Sequence, residues 1–329
     1  MLTKQPCIDI VLPFKNVAPW LGETLKSIQN QTHSNFRVHM VDDNSTDLGP
    51  RIAQEFADSD PRFHRYPNSG TGILAALETA LPHLKAPFLH RMDGDDIMPI
   101  QKLEWLLGTL LNAPDCHFAT GSVKYFSKEA ISEGYLRYEA WLNGIKSAVS
   151  FERNLFIECP VSSANWLIRK EHFDEAGGFG NTYPEDYNLI FSWFQAGYRP
   201  CFTQEVTHLL REHPDRTSRN SEHYQQAAFF QLKMEWLRKL GFMDKGLLMV
   251  GTGSKMKWVK QWLAQEQEAA EILDFQPSTE DEKRKLFEQL MQTTKTVVVL
   301  FHHETSKRKL KEAWEKQGKQ ELQDFLFLS

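Results

Sequence analysis

The stretch "HRMDGDD" at 90–96 sets three aspartates, Asp93, Asp95 and Asp96, into four positions directly after an apolar run. Like charges this close raise one another's pKa values, so the arrangement calls for a positive partner. A DxD pattern at a strand end, Asp93 and Asp95, can hold Mg2+ or Mn2+ through carboxylate oxygens, and the ion can in turn hold a diphosphate. The plainer alternative is a loop in which Asp96 caps the next helix and the others are solvated.

Other residues could join such a site. Asp42 and Asp43 end an apolar run, where a carboxylate can accept from a pyrimidine N–H or a ribose hydroxyl. Asp47 is placed to cap the following helix, which frees Asp43. "PEDYN" puts Glu185 and Asp186 at a helix start, where an ionised carboxylate can serve as general base on an alcohol; a simple helix-start pair is the alternative. "GGF" at 177–179 is either a close backbone approach to a ligand or a tight turn. In "REHPDRTS", His213 offers a metal ligand and Arg216 a phosphate contact, although a loop histidine is more often a surface residue.

Elements that would position these residues alternate through the first half. Strands are expected at 7–14, 36–41, 62–67 and 86–92, each followed by a helical pattern, as in "ILAALETAL" and "QKLEWLLGTLL". Such alternation predicts an α/β fold with a mostly parallel sheet covered by helices. Ligands bind such sheets at the carboxyl ends of the strands, and Asp42/Asp43, Asn68 and Asp93/Asp95/Asp96 fall there. Further on, "CPVSSANWLIRKEHF" reads as a strand into a helix, a strand follows at 205–210, and an amphipathic helix spans 222–240 before Gly241. "KGLLMVGTGSKMKWVKQWL" at 245–263 restarts the strand, glycine turn and helix pattern, which "EILDF", "TVVVLF" and a closing helix with "DFLFL" complete. Two domains are therefore expected, 1–241 and 242–329.

With 329 residues, 41% hydrophobic and 25% charged, the chain is an ordinary globular one, large enough for two cores. A net charge of −5 and the lack of a basic block argue against nucleic acid as a partner. "SKRKLK" at 306–311 reads as a solvated helix face. The sequence has no apolar run of the length a transmembrane segment needs, and its N-terminal pattern is not that of a secretory signal. Cys7, Cys116, Cys159 and Cys201 are scattered, as expected of reduced thiols acting as small core residues, so a cytoplasmic location is expected.

Taken in order, "IDIVLPFKNVAPWLGETLKSIQNQTHSNFRVHMVDDNSTD", "NSGTGILAAL", "RMDGDDIM", "AGGFG" and "YPEDYNLIFSWFQAG" resemble the family 2 glycosyltransferases, inverting and metal-dependent enzymes with the GT-A fold. The resemblance covers about residues 7–220. It implies a nucleotide-sugar donor, with UDP favoured, and a glycan, lipid-linked or other hydroxyl acceptor. It further implies a loop after the first strand, Pro13 and Phe14, against the base, with Asp43 binding that base. Arg91 is similar to the basic residue before the metal motif in one branch, Asp93 would touch ribose or metal, and Asp95 would be the main ligand of Mn2+ or Mg2+. Asp186 would be the general base, and His213 would close over the diphosphate as part of an "RxH" segment. Phe191 stands where many relatives carry an arginine, which leaves the acceptor side open. A QxxRW motif is missing, and with the lack of a membrane-length apolar run this points to transfer of a single sugar. The tail resembles the small Rossmann-like domain appended to some of these enzymes, with Gly251 and Gly253 in an incomplete dinucleotide fingerprint. Two other readings share the sheet: a sugar-phosphate nucleotidyltransferase, which would want a glycine-rich basic loop after the first strand, and a non-catalytic sugar-nucleotide or glycan-binding module.

Overall fold

A computed structural model describes residues 5–113, 115–274, 279–300 and 304–328. The chain begins β1 (Ile8–Phe14), α1 (Ala18–Gln29), β2 (Phe36–Asp42), α2 (Gly49–Ser59), β3 (Phe63–Pro67), α3 (Ile73–Ala80), β4 (Phe88–Arg91) and α4 (Lys102–Asn112). It continues through β5 (Phe118–Phe126), α5 (Glu133–Asn143), α6 (Ala148–Asn154), β6 (Trp166–Arg169), α7 (Lys170–Glu175), α8 (Glu185–Gln195) and β7 (Pro200–Arg211). Next come α9 (Thr217–Asn220), α10 (Gln226–Lys239), β8 (Leu247–Gly251), α11 (Ser254–Glu266) and β9 (Glu271–Asp274). The last elements are α12 (Glu280–Gln292), β10 (Thr296–Val299), α13 (Glu304–Lys316) and β11 (Phe325–Phe327). Two compact units form: one holds the chain up to Phe151 together with Pro160–Arg216, the other Glu152–Cys159 and Thr217 onward.

The first unit is built on a seven-stranded sheet of order β3-β2-β1-β4-β6-β5-β7. All seven residues of β1 are buried, as a central strand with both faces covered requires. β1 pairs in parallel with β2 and β4, while β6 runs antiparallel between β4 and β5. Leu21, Leu25 and Ile28 recur at helical spacing on α1 and pack in one core with Leu103, Leu106 and Leu110 of α4. Pro19 pre-sets the first turn of α1, and Asp47 accepts from the N–H of Ala18 at 2.8 Å and of Gly49 at 2.9 Å. One carboxylate thereby serves the starts of both α1 and α2.

β5 and β7 pair in parallel with a register break, Thr120 facing Phe202 and Ser122 facing Val206. Gly121 sits at the break, where a Cβ would lie 2.4 Å from Thr207 Oγ1 and 2.7 Å from Thr203 Cγ2. Gly121→Ala is expected to destabilise this unit by about 1–3 kcal/mol, read as a lowered urea midpoint at unchanged slope. An unchanged midpoint would show that β7 relaxes freely there.

The second unit carries a parallel sheet of order β11-β10-β8-β9 around a core of Val250, Val297, Val299, Trp314 and Phe325. Two expectations for this unit change. "DFLFL" does not close a helix: Phe325–Phe327 is a strand, because three apolar residues in extended register pair with β10. Phe275 and Phe301, the last residues of "EILDF" and "TVVVLF", lie outside the described residues. In the basic cluster Arg308 and Lys309 are exposed, but Lys307 is buried. The cysteines also depart from the expectation of separate thiols. Cys116 and Cys201 are joined as a disulfide, their Cα atoms 5.6 Å apart, because Phe118 and Pro200 begin paired neighbouring strands. Cys7 and Cys159 remain thiols.

Candidate active site

The carboxyl ends of β1, β2 and β4 carry the polar residues that the sequence singles out. Pro13 and Phe14 differ from the expected loop: β1 runs through Phe14, which pairs with Asp42, and the Phe14 side chain belongs to the core. The loop begins only at Lys15, whose ammonium lies 3.2 Å from Asp43 Oδ2. Asp43 Oδ1 accepts from Asn68 Nδ2 at 2.7 Å and from the Gly72 N–H at 2.8 Å. The predicted pair Asp43 and Asn68 is thus brought together, and it fixes the turn that leads into α3. Oδ2 keeps acceptor capacity beside Lys15.

At the end of β4 each aspartate of the acidic stretch meets a different partner. Asp93 accepts from Arg91 Nε at 3.1 Å and from Ser163 Oγ at 2.9 Å. Asp95 Oδ2 lies 2.9 Å from His213 Nε2. Asp96 is fully buried: His208 Nε2 lies 2.9 Å from Oδ2, and the Arg211 N–H donates to Oδ1 at 2.7 Å. Burial pushes the Asp96 carboxyl up to about 6. His208 Nδ1 in turn meets the Nζ of Lys102 at 3.0 Å, and that Nζ also donates to the Ala164 carbonyl at 2.6 Å. Burial draws Lys102 down to about 7 and holds His208 well below its ordinary value. Asp96 is therefore neither a solvated residue nor a helix cap; it locks the acidic loop onto β7, which carries the chain on to His213.

His213 is clamped from its other side. Trp20 of α1 stacks on the imidazole, centroids 3.6 Å apart and planes at 29°, and His213 Nδ1 is buried without a hydrogen-bond partner. Among the described residues no three His, Cys, Asp or Glu side chains already converge as a cation cage. A carboxylate and an imidazole are donors that a divalent ion takes, and Asp95 Oδ2 and His213 Nε2 meet at one spot with Asp93 two residues away in sequence. The structure brings Asp95 and His213 together and turns Asp93 toward Arg91 and Ser163. Arg216 Nη1 donates to the Arg211 carbonyl at 3.1 Å, and its guanidinium lies 6.0 Å from the Tyr125 ring.

Asp186 enters from α8. Arg91 Nη1 reaches Glu185 Oε1 at 3.0 Å, which ties the start of α8 to the end of β4. Asp186 Oδ1 accepts from the Tyr187 N–H at 2.8 Å. Burial first, and the Glu185 carboxylate next, push the Asp186 carboxyl up to about 7 against the pull of Arg91. That value suits a base working near neutrality. Phe191 is buried and stacks on Tyr187, so it belongs to the core of this helix. "GGF" resolves to a tight turn: Gly177 and Gly178 adopt φ of 90° and 72°, and the Gly178 N–H closes α7 on the Phe173 carbonyl.

Sequence reasoning passes over Trp20, Ser163, Lys102 and His208. Lys102 has a legible signal, since it falls on the same helix stripe as Leu103, Leu106 and Leu110. Ser163 and Trp20 carry none, because their roles depend on partners 70 and 193 positions distant, Asp93 and His213.

Known proteins share this architecture. Residues 1–349 of TarS from S. aureus, solved in complex with UDP-GlcNAc, superpose with a TM-score of 0.54 at 14% identity over 78% of each chain. In sequence, an uncharacterized glycosyltransferase of Haemophilus influenzae is 26% identical over 250 residues, 72% of this chain and 76% of that protein. Glycosyltransferase GlyA of Streptococcus pneumoniae serotype 4 is 27% identical over 153 residues, 45% of this chain but 21% of that protein. The sequence model of the family described as glycosyl transferase family 2 matches residues 9–177, half of the chain. The chain therefore belongs to glycosyl transferase family 2 and is a glycosyltransferase that draws its sugar from a nucleotide-sugar donor.

Proposed function

We propose that the chain moves a single sugar from a UDP-linked donor to an acceptor hydroxyl, with inversion and with help from a divalent cation. The observation that carries this reading is the Asp95–His213 pair at 2.9 Å, set beside a loop that Arg91 links to the start of α8. Asp95 and His213, with Asp93 near them, would hold Mn2+ or Mg2+. A bound ion would supply positive charge for the diphosphate that leaves. Asp43, seated by Asn68, has acceptor capacity for a ring N–H, which uracil presents and cytosine lacks.

Asp186 would take the proton from the acceptor hydroxyl as that oxygen forms its bond to the anomeric carbon. The bond from that carbon to the diphosphate oxygen breaks on the opposite face, so configuration inverts. Trp20, stacked on the imidazole, holds His213 in place beside Asp95. The acceptor class favoured is a hydroxyl of a glycan or of a lipid-linked carrier.

Calorimetric titration with UDP, GDP, CDP and dTDP, each with and without Mn2+, tests the donor side. UDP binding that needs Mn2+ is expected. In Asp95→Asn that metal-dependent gain should fall by at least about tenfold, ~1.4 kcal/mol. Equal binding of all four nucleotides, or an Asp95→Asn protein that keeps the full Mn2+ gain, would overturn the assignment.

A further inference from the structure

Arg91 is 4% exposed in its side chain, and the Glu185 that it grips is 2% exposed. The guanidinium thus lies beneath the site surface. One face of its fork is on Asp93, 3.1 Å from Nε, and another is on Glu185, 3.0 Å from Nη1. A guanidinium is planar, so two carboxylates bound to different nitrogens of one fork are held at a fixed mutual angle. Ser163 secures the second oxygen of Asp93 at 2.9 Å, so that carboxylate is set from both sides.

We propose that Arg91 is a positioning residue that couples the acidic loop to the base-bearing helix, with Glu185 as its anchor on α8. The inference rests on Asp186 as the base and on donor binding at Asp93 and Asp95. Loop and helix come from segments 94 positions apart, and one buried fork sets their register. Donor capture on the loop and proton removal at Asp186 then share a single rigid part. The charged groups facing Asp186 are Glu185 on its own helix, Arg91 at the end of β4 and Asp93 on the loop. Of these, Glu185 and Asp93 raise its proton affinity and Arg91 lowers it.

Opposite signs give the test its discrimination. Protein labelled with 13C at aspartate carboxyls is titrated by NMR, with the Asp186 signal assigned by its loss in Asp186→Asn. Arg91→Met removes a cation, so the Asp186 midpoint should rise by about one unit, and Glu185→Gln removes an anion, so it should fall by a similar amount. The double variant should return close to the wild-type midpoint. Glu185→Gln should also weaken UDP binding in Mn2+ about fivefold, although Glu185 lies on the helix and not on the donor loop. Arg91→Lys keeps the charge without the fork: its midpoint should stay near wild type while UDP binding weakens. Where Arg91→Met does not fold, the isosteric Glu185→Gln and the charge-conserving Arg91→Lys carry the test.

Midpoints that shift the same way in Arg91→Met and Glu185→Gln would overturn the coupling. So would a Glu185→Gln protein with unchanged UDP affinity, which would confine Glu185 to the base. A transfer rate that survives Asp186→Asn would instead remove the base reading, and a wild-type chain that binds no nucleotide would remove the donor reading.

Discussion

Asp186→Asn is expected to cut sugar transfer by about 10²–10⁴-fold, the range a positioned general base contributes, and to leave nucleotide affinity within about twofold. The amide keeps the shape of the carboxylate and can still meet the Tyr187 N–H, which Asp186 Oδ1 now accepts at 2.8 Å. It cannot accept the acceptor proton. The pH profile adds a second signature. Asp186 is pushed up to about 7 by burial and by Glu185, so its basic form is scarce below that pH and abundant above it. The wild-type rate should therefore rise with pH through about 7, and any residual rate of the Asn variant should lack that rise. Release of free UDP from UDP-sugars, followed with and without acceptor, measures both. Retention of the full rate by Asp186→Asn would place the base elsewhere and return weight to a non-catalytic sugar-nucleotide module.

The second large effect concerns stability rather than turnover. Asp9 on β1 is 1% exposed and accepts from Arg37 Nε at 2.8 Å, Arg37 Nη2 at 3.1 Å, the Lys85 N–H at 2.5 Å and the Ala86 N–H at 2.7 Å. His39 Nε2 lies 3.1 Å from the same carboxylate. Removing one partner of a buried charge network leaves the others uncompensated, so Asp9→Ala should cost about 3–5 kcal/mol. Burial raises the Asp9 pKa, but hydrogen bonds from His39, Ala86 and Arg37 more than offset it, so the folded value lies below the ordinary 3.8. The sign follows: Asp9 contributes its stability above that ordinary value and loses it as pH falls through the lowered folded one. The gap in urea midpoint between wild type and Asp9→Ala should be widest near neutrality and narrow in acid. A gap that stays constant with pH would mean that the carboxylate charge is not what stabilises the network.

Much of the first four strands is legible before any coordinates. β-branched apolar runs mark β1 and β2, turn residues mark their ends, and Asp43, Asn68 and Asp93 with Asp95 follow the ends of β2, β3 and β4. Periodicity reports which face of an element is buried, and for strands that alternate with helices this almost fixes the neighbours. It does not report what lies across from a given side chain. That is why the antiparallel insertion of β6, the Arg91–Glu185 link and the Lys102–His208–Asp96 chain were out of reach. Each joins segments 94 to 112 positions apart or reverses a direction that local pattern leaves open. The Cys116–Cys201 bond escaped for the same reason, since spacing in the chain says nothing of two strands that start side by side.

The anchoring of Asp96 on β7 has a kinetic consequence. β1 to β4 pair largely with near neighbours in sequence, so this side of the sheet can close early, at low loop-closure cost. His208, Arg211 and His213 arrive more than a hundred residues after the aspartates they meet. Contacts of such separation form slowly. During synthesis Asp95 and Asp96 are made long before their partners, so a chain lacking β7 would carry four paired strands beneath a loop in which those two carboxylates are unneutralised. Docking of β7 is thus the step at which a folded sheet becomes a competent site, and the rate at which activity appears on refolding should follow that last strand rather than the first four.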